Sequence, residues 1–265
     1  MGFLTHPSDS ALRRGRADFD QLHEMLSMAY TVAALAYCYL KAPQRAKSFL
    51  DSARAAKPNY SDESPLWWLV RAEAETDVNK KLNFLRKATE FDSSFEIAQY
   101  RLAQSSERKA RIRDEIPMEQ VDSLIEEYDK VLRINPGNIG ALSAQGYLLW
   151  LSGKLEEAQK KFNEGLQSKA IVRQTFVGDL QYGLARVAAE NGEINRSFTL
   201  FTQALSADPA VAVHSPSSGV QSNYDYIADG ILKRYEAFKA KVEERLQAET
   251  IRDSSNDFSF IAQST

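Results

Sequence analysis

The chain has 265 residues, 33 Lys+Arg against 36 Asp+Glu for a formal charge of -3, and is 43% hydrophobic and 26% charged. This composition excludes intrinsic disorder and collagen-like or mucin-like chains, and the lack of a basic excess argues against a nucleic-acid partner. One Cys allows neither an intrachain disulfide nor a Cys-based zinc site, and three scattered His supply no metal site, so no metal or cofactor is implied.

In chain order, residues 1–20 read as an N-terminal segment carrying Arg13, Arg14 and Arg16. The most apolar run follows, Met25 to Leu40 (MLSMAYTVAALAYCYL). A basic stretch ahead of an apolar run suggests a signal peptide, but the run spans 16 residues, and Asp18, Asp20 and Glu24 separate it from the arginines. Leu35-Ala36-Tyr37-Cys38 has the outline of a lipobox, which Tyr37 breaks where a small residue is required. The run is therefore read as a buried, Ala-rich helix, with no membrane association and a cytoplasmic location; an exported lipoprotein or periplasmic protein is the minor alternative.

A 3.6-residue apolar period dominates the rest, predicting an all-α protein. AYTVAALAYCYLKAPQRAKSFLDSARAAKP carries Ala34, Tyr37, Ala46, Leu50, Ala53 and Pro58, and LWWLVRAEAETDVNKKLNFLRKATEFDSS carries Trp68, Ala72, Leu85 and Ala88. FEIAQYRLAQ supplies Tyr100, Leu102 and Ala103, and VDSLIEEYDKVLRINP supplies Leu124, Tyr128, Val131 and Pro136. The clearest units come next. ALSAQGYLLWLSGKLEEAQKKFNEGL holds Leu142, Gly146, Leu149, Gly153, Ala158, Phe162 and Gly165. GLARVAAENGEINRSFTLFTQALSADP holds Leu184, Ala185, Ala188, Gly192, Ser197, Phe201, Ala204 and Pro209. Each shows small residues, a Gly turn, a small residue and an aromatic four apart, and a helix stop.

This pattern resembles the tetratricopeptide repeat across most of the chain. The resemblance implies a right-handed superhelical α-solenoid of antiparallel helix pairs, with about five repeats over 21–209. Small residues let the paired helices approach, a Gly ends the first helix, and an aromatic fills the space between pairs. Successive repeat ends at Pro58, Ser93, Pro136, Ala170 and Pro209 are 35, 43, 34 and 39 residues apart, against a family spacing of about 34. Insertions are thus expected near 105–118 and 167–176. The first contains Arg108, Lys109, Arg111 and Arg113, read as a solvated helix end because Glu107, Asp114 and Glu115 interleave. Residues 210–223 read as a loop. The segment 224–249 reads as an amphipathic capping helix with Ile227, Ile231, Tyr235, Phe238, Val242 and Leu246 on one face, and 250–265 as a polar tail.

The family's usual ligand surface is the concave face lined by the first helix of each pair. By family position that face comprises Tyr100 and Gln104, with Arg108 beside them, then Ser143, Tyr147, Trp150 and Leu151, then Asp179, Tyr182, Arg186 and Glu190. It is aromatic at its centre, and Tyr and Trp are frequent binding hot spots. Trp67 and Trp68, adjacent on a helix, cannot both face one way, so at least one is core. The Lys/Asn/Arg clamp of chaperone-tail binders is missing, since a lone Arg186 does not form one. No GxSxG, Walker A, GxGxxG or HExxH motif is present, and Cys38 has no His at helical spacing. The expected function is a non-catalytic scaffold or adaptor binding a protein or peptide in the groove. The alternative is a regulatory or sensor portion of a larger assembly, or a homo-oligomer joined through 224–249.

Overall fold

A computed structural model describes residues 9–112, 116–168 and 174–208, with Ala240 and Glu244 as isolated positions. The expected loop, capping helix and tail beyond 209 lie otherwise outside the described residues, as do parts of both expected insertions. All elements among the described residues are α-helices, eleven in number. The chain divides into two compact units, residues 1–109 and 110–265, and each is taken by itself.

In the first unit, α1 (Asp9–Tyr39) pairs with α2 (Pro43–Ala56), a one-turn α3 (Tyr60–Glu63) follows, and α4 (Pro65–Glu73) pairs with α5 (Val78–Phe91). Helix α6 (Glu96–Ala110) adds Ala98 and Leu102 to the core formed by Leu69, Ala72, Leu82, Leu85 and Ala88. Local chemistry sets the starts: Pro43 occupies the first turn of α2, the Ser64 side chain accepts from the Trp67 amide, and that of Asp77 accepts from the Lys80 amide. The apolar run near the N-terminus forms the C-terminal half of α1 and, against the expectation of a buried helix, is buried on one side only. Ser27, Thr31 and Ala34 are covered, while Met25, Leu26, Met28, Val32, Tyr39 and Leu40 are exposed because α2 and α4 pack on a single side. Its Ala34 is fully buried with Ala46, Leu50 and Ala53 of α2, and the Ser27 hydroxyl donates to the Ala53 carbonyl at 2.9 Å. No helix among the described residues is long and apolar enough to cross a membrane.

The turn from α1 to α2 closes through paired bonds from the amide of Lys41 to the Cys38 carbonyl and from that of Ala42 to the Tyr37 carbonyl. The second unit repeats this motif at Gly153 and at Gly192, where φ is +75° and +79°. These are Schellman turns, and glycine suits their left-handed residue. In the first pair the same position is held by Lys41 at φ 55°, which explains why no glycine marks that turn in the sequence.

The second unit contains α7 (Met118–Ile134), α8 (Ile139–Leu151), α9 (Leu155–Gln167), α10 (Gln174–Glu190) and α11 (Ile194–Ala207). Asn138 caps α8 by accepting from the Ala141 amide at 2.9 Å. Helix α8 packs on α7, α9 and α10, which is why apolar side chains surround it: nine of its residues are buried. Phe162 of α9, 1% exposed, fits between α8 and α10. A Cβ at Gly146 would lie 2.6 Å from its ring, and one at Gly183 would overlap it.

Replacing Phe162 by Ala is expected to cost about 3–5 kcal/mol by leaving a cavity. Gly183→Ala is expected to cost about 1–3 kcal/mol by overpacking the same contact. Urea unfolding of the full chain followed by circular dichroism checks both, and a neutral Gly183→Ala contradicts the fit.

Candidate functional site

The residues expected to line the groove fall on both units. In the second unit, Tyr147 and Trp150 are three apart on α8, and Tyr182 and Arg186 four apart on α10, so each pair shares a helix face. The packing of α8 on α10 brings all four together. The Arg186 guanidinium carbon lies 4.5 Å from the centroid of Tyr182, 4.7 Å from that of Trp150 and 5.4 Å from that of Tyr147. Tyr147 and Trp150 stack at 5.9 Å, and Arg186 Nη2 donates to the Tyr182 hydroxyl at 3.2 Å.

Three ring faces around one guanidinium hold it by cation–π attraction, each contact worth about 0.5–2 kcal/mol depending on desolvation. No carboxylate lies within ion-pair distance of Arg186 among the described residues. The side chain is fixed by rings and one hydroxyl, and its remaining N–H donors form a rigid fork suited to a carboxylate or to peptide carbonyls. Arg111, assigned in the sequence to a solvated cluster, has its guanidinium carbon 5.7 Å from the Tyr147 ring. No sequence signal reveals that approach, because Arg111 and Tyr147 are separated by all of α7.

The other expected residues of this unit take varied positions. Ser143 is 2% exposed, and its hydroxyl has no hydrogen-bond partner among the described residues. Leu151 and Asp179 are half-buried and Glu190 is exposed. The Trp150 indole N–H is buried and also lacks a partner among the described residues.

In the first unit, Tyr100 and Gln104 meet on α6, where Gln104 Nε2 donates to the Tyr100 hydroxyl at 2.9 Å. Arg101 donates to Gln104 Oε1 at 3.0 Å and pairs through Nε with Glu73 of α4 at 3.3 Å; Lys81 Nζ joins Glu73 at 3.1 Å. Arg101, Glu73 and Lys81 were not among the residues singled out from sequence. The three-residue spacing of Arg101 and Gln104 was legible, whereas the reach to α4 and α5 was not. Arg108 is exposed.

Comparison with solved structures settles the fold. PilW, described as a widely conserved type IV pilus biogenesis factor, aligns at a TM-score of 0.56 and 17% identity over 84% of this chain and 92% of its own. A tetratricopeptide repeat protein from Parabacteroides merdae aligns at 0.52 and 12% identity over 84% of this chain and 80% of its own. YrrB, a TPR protein with an unusual peptide-binding site, aligns at 0.50 and 15% identity over 72% and 92%. The chain has the tetratricopeptide-repeat fold. No family model matches this TPR chain, and no curated protein matches it significantly by sequence.

The remaining conspicuous side chains are part of the TPR packing. Trp67 is 5% exposed and donates its indole N–H to the Leu50 carbonyl at 3.3 Å, while Trp68 turns toward Phe84 and Lys87. Cys38 lies on the inner side of α1, 3.9 Å from the Val70 carbonyl. Burial, aided by the charge of Glu73 and opposed by Lys81, pushes its thiol up to about 11.

Because the thiolate is the reactive form, alkylation of Cys38 by iodoacetamide is expected to stay slow at pH 8 and to rise until about pH 11. Mass spectrometry of native protein across that range checks this; a plateau by pH 9 refutes it.

Proposed function

We propose that this chain is a non-catalytic scaffold or adaptor that binds a peptide or a segment of a partner protein on the α8–α10 face. The observation that carries this reading is the Arg186 guanidinium, held among Tyr147, Trp150 and Tyr182 with N–H donors left over among the described residues. Such a site pairs aromatic area, which immobilises at low entropic cost, with one fixed polar anchor that sets register. It binds and orients; a permanently charged guanidinium flanked by rings offers neither a nucleophile nor a proton-transfer pair. The description of the structurally similar YrrB as a TPR protein with a peptide-binding site supports a peptide ligand. A cytoplasmic location accords with a chain whose single Cys permits no internal disulfide.

Selection of displayed random peptides on the full chain is expected to enrich sequences with a carboxylate. Against an enriched peptide, Arg186→Ala and the pair Tyr147→Ala/Trp150→Ala are each expected to weaken binding at least about 10-fold. Arg186→Lys, which keeps the charge but loses the fork, falls between. Unchanged affinity in the aromatic double variant, with an unchanged circular dichroism spectrum, refutes the site.

A further inference from the structure

The largest exposed apolar surface among the described residues lies on α1, away from the side that packs on α2 and α4. Leu22, Met25, Ala29, Val32, Ala36 and Tyr39 recur at alternating intervals of three and four, the spacing of a two-helix seam. All six are exposed, with Leu22 at 61%, Met25 at 62%, Val32 at 52% and Tyr39 at 74%. Leu26, Met28 and Leu40, also exposed, flank them. At roughly 200 Å² for a large side chain, the seven large ones leave on the order of 800 Å² in water. Isolated exposed leucines are ordinary, but a continuous face of this size is not. Among the described residues α1 packs on α2 and α4, which leaves this face uncovered.

We propose that this face is the interface of a homodimer in which α1 packs antiparallel on α1 of a second copy. The area matches the roughly 800 Å² per partner of a standard stable interface. The seam is symmetric about the midpoint between positions 30 and 31, so a two-fold axis there sets Leu22 against Tyr39, Met25 against Ala36 and Ala29 against Val32. A small residue therefore stands opposite or beside a large one along most of the seam, and Ala29 and Ala36 let the helix axes approach closely. Charge fixes the direction. Asp18 lies seven residues before Met25 on the same face, and Lys41 is exposed just past the other end. Antiparallel pairing brings Asp18 of each copy within reach of Lys41 of the other, whereas parallel pairing sets Asp18 against Asp18. The contact is isologous and closes on itself, so it ends at a dimer. It uses no residue of the α8–α10 face and stands or falls independently of peptide binding.

Sedimentation velocity of the full chain is expected to show a monomer–dimer equilibrium at micromolar concentration. Met25→Glu/Val32→Glu places two unpaired charges in the seam at sites exposed in the monomer. It is expected to raise the dimer dissociation constant at least about 100-fold with an unchanged circular dichroism spectrum. Lys41→Glu is expected to weaken the dimer, and adding Asp18→Lys to restore it. A wild-type chain that stays monomeric overturns the proposal, whether or not it sediments with phosphatidylglycerol vesicles, and sedimentation with them would assign the face to lipid instead. A dimer indifferent to the double Glu variant overturns the placement on α1. Lys41→Glu without rescue by Asp18→Lys overturns the antiparallel direction.

Discussion

The ring of Phe162 occupies space that exists only because Gly146 and Gly183 carry no side chain. That fit sets how close α8, α9 and α10 come to one another, and nearly everything of functional interest in the second unit depends on it. With α8 and α10 at that separation, Tyr147 and Trp150 of one helix reach Arg186 of the other within 5.4 Å. A bulkier residue at either glycine would push apart the helices that bring Tyr147, Trp150, Tyr182 and Arg186 together. The aromatic in the second helix and the small residues in the first helices of neighbouring pairs are thus one device, which fills the core and sets the spacing at which side chains of α8 and α10 meet.

The same rule is satisfied differently in the first unit. There Leu50 and Leu85, both fully buried, take the place of a ring, and alanines such as Ala34, Ala46 and Ala53 provide the close approach. Its turn uses Lys41 in a left-handed conformation where later repeats use glycine. The fold tolerates this substitution because the paired backbone bonds of the turn are retained, although a side chain in that conformation costs about 1–2 kcal/mol. The polar surface of this unit is organised around Glu73, which joins Arg101 and Lys81, while Gln104 relays Arg101 to Tyr100. The two units carry contrasting chemistry: an ion-pair network joining α4, α5 and α6 in one, and in the other a guanidinium held by rings with N–H donors left over among the described residues.

The residues expected in the groove were partly legible as a cluster. Tyr147, Trp150, Tyr182 and Arg186 could be placed on helix faces from spacing alone, because a helix puts residues three and four apart side by side. Their convergence on one guanidinium could not, since it depends on the separation and rotation of two helices. Ser143 shares the α8 face by spacing yet is buried, because neighbouring side chains cover it. Arg111 approaches Tyr147 for the same kind of reason in reverse: a residue that looks solvated in the sequence folds back onto a ring far along the chain.

The sequence by itself determined the helix pairs, their turns and the small-to-large complementarity between them, because each is encoded in residues a few positions apart and repeated at a near-constant interval. The tertiary structure alone decided which side chains meet across helices and which apolar faces remain uncovered. The outer seam of α1 shows the difference. Its run of Met, Val, Ala and Tyr reads from sequence as a buried helix, and so it is on the side of Ser27, Thr31 and Ala34. The other side is exposed because, among the described residues, α2 and α4 pack on one side of α1 only, and amino-acid periodicity cannot report how many neighbours a helix has.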